Sequence, residues 1–104
     1  MAWFLLIVAG VLEVVWSLGL RYTQGFTRVV PSAITGVAIA ASMLLLARAA
    51  RTLPIGTAYA IWVGIGVLGA AIGGAILFDE AMSPLRLAFL ALLLVSIIGL
   101  KLTA

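Results

Sequence analysis

The chain has 104 residues, 66% of them hydrophobic and 9% charged, whereas a soluble domain carries roughly 25% charged residues. That composition excludes an ordinary soluble protein, and the length allows one domain and no separate catalytic unit. The net charge of +3 comes from six basic residues scattered at segment ends, which form no nucleic-acid patch. With no Cys and no His, disulfides, thiolate metal sites and imidazole proton carriers are absent, so proton chemistry falls to carboxylates.

Ala2–Leu20 is an apolar run of bilayer length, interrupted only by Glu13. It begins without a basic leader and no small-residue cleavage site follows, so a retained helix is expected rather than a signal peptide. Arg21 and the polar stretch to Arg28 close it. Val29–Ala47 is the second run, with Pro31 in its first turn, where a missing N–H is tolerated. Arg48–Pro54 forms a basic connection. Ile55–Phe78 is the longest run and carries no charge before Asp79 and Glu80. Ser83-Pro84 has the pattern of a helix cap followed by proline at the first helical position. A fourth span follows to Lys101, with Arg86 and Lys101 able to snorkel to opposite interfaces. The expected architecture is all-α: one domain, residues 1–104, with transmembrane spans at about 2–20, 29–47, 55–78 and 84–101. Its short loops predict antiparallel neighbours.

The third span holds Gly64, Gly66, Gly69, Gly73 and Gly74. Gly69 and Gly73 have the GxxxG spacing that lets helices approach closely. Gly64 and Gly66 weaken helical propensity in mid-membrane, which suggests a helix bend, with tight packing as the alternative.

Basic residues divide equally between the two sides. Arg48, Arg51 and Lys101 share one, and Arg21, Arg28 and Arg86 the other. Orientation follows Lys/Arg excess, and here there is none. Both orientations are therefore expected, and two copies would pair as an antiparallel homodimer, supplying the inverted repeat that larger transporters encode in one chain. Four short helices also enclose too little space for a water-accessible cavity.

Glu13 is the one acidic residue inside an apolar run. A carboxylate at bilayer depth costs a few kcal/mol by insertion scales and marks function by default. Ala9, Gly10, Trp16 and Ser17 lie three or four residues away, on its helix face. Ser42 is polar and central in the second span, and Tyr59 and Trp62 sit three apart in the third. Packing accounts for each aromatic residue singly; together with a buried carboxylate they describe a cation site of negative charge, hydrogen-bonding groups and π faces. A carboxyl group removed from water holds its proton more tightly. Proton and cation then compete for one group, and a site that opens to one side at a time turns an inward proton gradient into cation export.

The runs Glu13-Val14-Val15-Trp16, Gly25-Phe26-Thr27, Pro54-Ile55-Gly56-Thr57-Ala58-Tyr59-Ala60-Ile61-Trp62 and Gly64-Ile65-Gly66 resemble the small multidrug resistance family over essentially the whole chain. Trp16 and Thr57 resemble its guanidinium exporter branch, where the drug-exporting branch typically has glycine and a bulky aliphatic residue. The resemblance implies an antiparallel dimer in a bacterial inner membrane that exchanges protons for guanidinium, using the proton gradient and no cofactor. It makes Glu13 the shared proton and substrate ligand. Gly10, Trp16 and Ser42 would support it, the hydroxyl and indole bonding the carboxylate. Tyr59 and Trp62 would line the pocket, Tyr59 reorganising as access switches. Gly64 and Gly66 would form the helix bend, and the fourth helix would mediate dimerisation. Guanidinium suits such a site, being planar, permanently charged and rich in N–H donors. Competing readings are a broad exporter of quaternary ammonium and lipophilic cations, a heteromeric subunit, and a non-transporting membrane scaffold. An enzyme is not expected, since no nucleophile–base pair, metal cluster or phosphate loop is present.

Overall fold

The computed structural model describes residues 1–103 and contains four helices: α1 (Ala2–Tyr22), α2 (Val29–Ala49), α3 (Ile55–Leu77) and α4 (Pro84–Thr103). Each is long and apolar enough to cross a membrane. At a rise of about 1.5 Å per residue they span roughly 30–35 Å, matching the hydrocarbon core. No strand occurs among the described residues.

Local chemistry sets the helix ends. Arg28, in extended conformation, precedes α2, and Pro31 falls in the first turn. Ser83 caps α4 as its sequence predicts: the Arg86 N–H donates to Ser83 Oγ at 3.1 Å, with Pro84 as the first helical residue. At the end of α3, the Phe78 and Glu80 N–H groups both donate to the Gly74 carbonyl, and Asp79 takes a left-handed φ of 54° that stops the helix. Between α1 and α2, Gln24, Gly25 and Phe26 are all left-handed. Only Gly25 adopts that region without steric cost. Buried Thr23 holds the turn: its hydroxyl donates to the Leu20 carbonyl at 2.7 Å and accepts from the Phe26 N–H at 3.2 Å.

The helices lie in a row, α2–α1–α3–α4. α1 packs on both α2 and α3, whereas α4 packs on α3 alone. The principal extents of 41 × 35 × 16 Å describe a flattened slab. Consecutive helices run antiparallel. α3, however, docks chiefly on α1, to which it is parallel, and touches α2 little. The loop-joined pairs are thus antiparallel, as their short loops predict, and the α1–α3 contact joins helices that no loop connects. The reason for that contact is the small-residue stripe on α3: a Cβ at Gly66, Gly69 or Gly73 would fall on the side chains of Glu13, Val14 and Leu18. These positions leave room for α1 side chains against the α3 backbone, a contact that in lipid rests on van der Waals packing. α4 contributes no buried residue.

Candidate functional site

Glu13 lies midway along α1, and its carboxylate rests on Gly66 of α3, in the space a Cβ would occupy. Its Oε2 is buried and has no hydrogen-bond partner among the described residues. One turn along α1, the Trp16 indole N–H is also buried without an acceptor. The expected indole–carboxylate bond is therefore not made in this structure. A carboxylate with free acceptor capacity and an indole with a free donor share one helix face at mid-membrane.

Ser42 is fully buried and does not bond the carboxylate either. Its hydroxyl donates to the Ala9 carbonyl of α1 at 2.7 Å and accepts from the Trp62 indole N–H of α3 at 3.0 Å. A hydroxyl has one proton to give. The level at which α2 crosses α1 places the Ala9 carbonyl, one turn before Glu13, as its recipient. Ser42 thus ties α1, α2 and α3 together directly below the carboxylate. Replacing it with alanine leaves the Trp62 N–H buried without a partner, at an expected cost of about 1–3 kcal/mol. Thermal unfolding in detergent checks this. The Ser42→Ala/Trp62→Phe double variant is expected to cost less than the two single changes combined, because both remove the same bond.

Gly10 adjoins Ile65 of α3, which occupies the space that its missing side chain leaves. Gly10 thus admits an α3 side chain one turn before the carboxylate. Trp62 is 5% exposed and belongs to a core with Leu6, Ala9, Ala49, Ala58 and Ile61. Tyr59 is 53% exposed, its ring tilted 41° to that of Trp62 with centroids 5.6 Å apart. Gly64 and Gly66 lie within a continuous helix and serve different neighbours: Gly64 sits under Ile97 of α4, Gly66 under Glu13. In this structure both have a packing role, the alternative the sequence left open.

Sequence reasoning missed Gly66 as the seat of Glu13. Its signal was present as spacing. Tyr59, Trp62, Gly66, Gly69 and Gly73 recur at alternating intervals of three and four, which place them on one helix stripe. The aromatic part of that stripe lies below the carboxylate and the glycine part at its level and beyond.

The ends of the slab are tied by weaker contacts. Arg21 approaches Glu80 at 3.8 Å and lies over the Phe78 ring at 4.8 Å. That ion pair is solvent-exposed and contributes at most about 1 kcal/mol. At the opposite end, Lys101 Nζ lies 5.6 Å from the Trp3 ring centroid. No cluster of three or more potential metal ligands occurs among the described residues.

Four membrane-length helices carrying a single carboxyl group within their apolar spans define a multi-pass membrane protein with an intramembrane acidic site. The chain matches the family model described as Small Multidrug Resistance protein over residues 1–93, and it belongs to that family. Its relatives include a protein of Escherichia coli (strain K12) named "Guanidinium exporter", 57% identical over 103 residues, covering 99% of this chain and 98% of the relative. Proteins of the same name are found in Salmonella typhimurium, 58% identical over 100% of this chain and 99% of the relative, and in Citrobacter freundii, 56% identical over 99% and 98%.

Proposed function

We propose that this protein is a proton-coupled antiporter that exports guanidinium ion across the bacterial inner membrane, a transporter rather than an enzyme. The observation that carries this reading is the intramembrane Glu13 carboxylate with its buried, unpartnered oxygen, in a chain similar over its full length to proteins named guanidinium exporters. A planar guanidinium presents paired N–H donors that match a carboxylate in bidentate fashion. Trp16 supplies a π face one turn away. Proton and guanidinium compete for Glu13, so release of one accompanies binding of the other. The proton gradient drives export and no cofactor takes part.

The working unit in this reading is an antiparallel homodimer. Three features support it. The molecule is only 16 Å across its thinnest direction, which leaves little room within one chain for a cavity around Glu13. α4 has no fully buried residue within its own chain and offers its outer face to a second copy. The three-to-three division of basic residues gives the insertion machinery no preferred orientation. Alternating access then follows from rocking of the two copies about their shared site, with Gly64 and Gly66 as bend points and Tyr59 as the side chain that reorients.

The reading is tested with purified protein in liposomes under a pH gradient, comparing guanidinium with tetraethylammonium. Guanidinium is expected to drive proton movement at a rate at least about a hundredfold greater, because a site that hydrogen-bonds its substrate rejects a cation lacking those donors. Robust exchange of tetraethylammonium with none of guanidinium would move the protein to the broad-specificity branch. Failure of both cations, in folded dimer, would favour a heteromeric subunit or a scaffold.

A further inference from the structure

Between α1 and α2, at the end where the left-handed turn joins them, lies an open groove of about 500 Å³. Val15 and Leu18 of α1 and Val30 and Ile34 of α2 give it apolar walls, and Tyr22 and Arg28 stand at its mouth. Its floor is the contact of Gly19 with Thr35, where the two helices meet closely. From Tyr22 to Val15 it descends seven residues, about 10 Å along the helix. Val30 and Ile34 are largely exposed, so the groove opens outward from the helix row. It lies on α2, which makes no contact with α4.

The charge at its mouth is uncommitted. The one ion pair among the described residues joins Arg21 to Glu80, which leaves Arg28 without a carboxylate partner. Arg28 immediately precedes α2, where the turn anchored by Thr23 returns the chain to the groove. A second apolar groove, of about 380 Å³, lies at the opposite end between α1, α3 and α4. Its cation, Lys101, is already placed over the Trp3 ring.

We propose that the α1–α2 groove binds an anionic phospholipid. One acyl chain lies against Val15, Leu18, Val30 and Ile34, and the phosphate meets the Arg28 guanidinium, with Tyr22 at headgroup level. An apolar channel descending from the membrane interface suits a hydrocarbon chain. A guanidinium at its mouth suits a phosphate, which it meets through paired N–H donors, and juxtamembrane arginines favour anionic lipid. The inference rests on the membrane placement of the helices and is independent of the substrate reading.

Native mass spectrometry of the purified protein, titrated with phosphatidylglycerol or phosphatidylcholine in mixed micelles, tests it. Phosphatidylglycerol is expected to bind more tightly, and Arg28→Gln to weaken its binding about fivefold, with little effect on phosphatidylcholine. Arg51→Gln, at the opposite end, is expected to change nothing. Ile34→Trp, which keeps the charge and fills the groove, is expected to weaken binding as well, and excess inorganic phosphate to leave the lipid bound. Equal binding of the two lipids, an equal loss in Arg51→Gln, or no loss in folded Ile34→Trp would overturn the proposal. Displacement by inorganic phosphate would also overturn it, by showing an anion site without a lipid groove.

Discussion

Glu13→Gln is expected to abolish guanidinium-driven proton movement in proteoliposomes while leaving the protein folded. The substitution is nearly isosteric and removes the only acidic group within the apolar spans. In the carboxylate, both oxygens accept; in the amide, one becomes a donor that faces the N–H groups of the cation. Loss of two charge-assisted hydrogen bonds, each contributing about 1.5–3 kcal/mol, lowers guanidinium affinity by more than about a hundredfold. The pH dependence has a definite sign. Guanidinium keeps its charge at every accessible pH, so in the proposed mechanism the titrating partner is the carboxyl group. Affinity is full above the pKa of that carboxyl and falls about tenfold per pH unit below it, as protons displace the cation. Residual binding in Glu13→Gln is expected to show no such slope. A variant that exchanges guanidinium for protons at the native rate would end the proposed role of Glu13.

Gly66→Ala gives the second large effect, and its contrast with Gly69→Ala separates function from stability. At both positions a new Cβ meets an α1 side chain. At Gly66 that neighbour is the far end of Glu13, a flexible chain that swings aside. The helices keep their spacing while the carboxylate leaves its seat. The expected result is at least about a tenfold loss of guanidinium exchange, since displacement of a binding group by 1 Å costs a large fraction of its effect. The unfolding temperature is expected to change little. At Gly69 the neighbour is the β-branched Val14, whose χ1 is stiff, so α1 and α3 must separate. Overpacking there is expected to cost about 1–3 kcal/mol of stability. Gly36→Ala, where nothing lies within 4 Å, serves as the neutral control. Equal loss of exchange and stability in both α3 variants would show that Gly66 serves packing alone.

These two glycines also mark where sequence reasoning ends. Hydropathy is a local and additive property, so the apolar runs by themselves reveal four membrane-length helices, and the Ser83-Pro84 pair announces the start of α4. The depth of Glu13 follows from its place within a run, and the family from motifs read along the chain. Contacts between helices have a different origin. Which residues face each other depends on the rotation and register of separate helices, and these are set by side chains far apart in sequence. The docking of α3 on parallel α1 emerges in three dimensions, because the stripe of Gly66, Gly69 and Gly73 receives Glu13, Val14 and Leu18. The fold also directs the single proton of Ser42 to the Ala9 carbonyl rather than the carboxylate, and seats Ile65 against Gly10. What each helix is, and which one carries the charge, can be read along the chain. What that charge rests against is set by folding, because a hydrogen bond or a close contact requires two groups at one place, and a linear pattern specifies only one of them at a time.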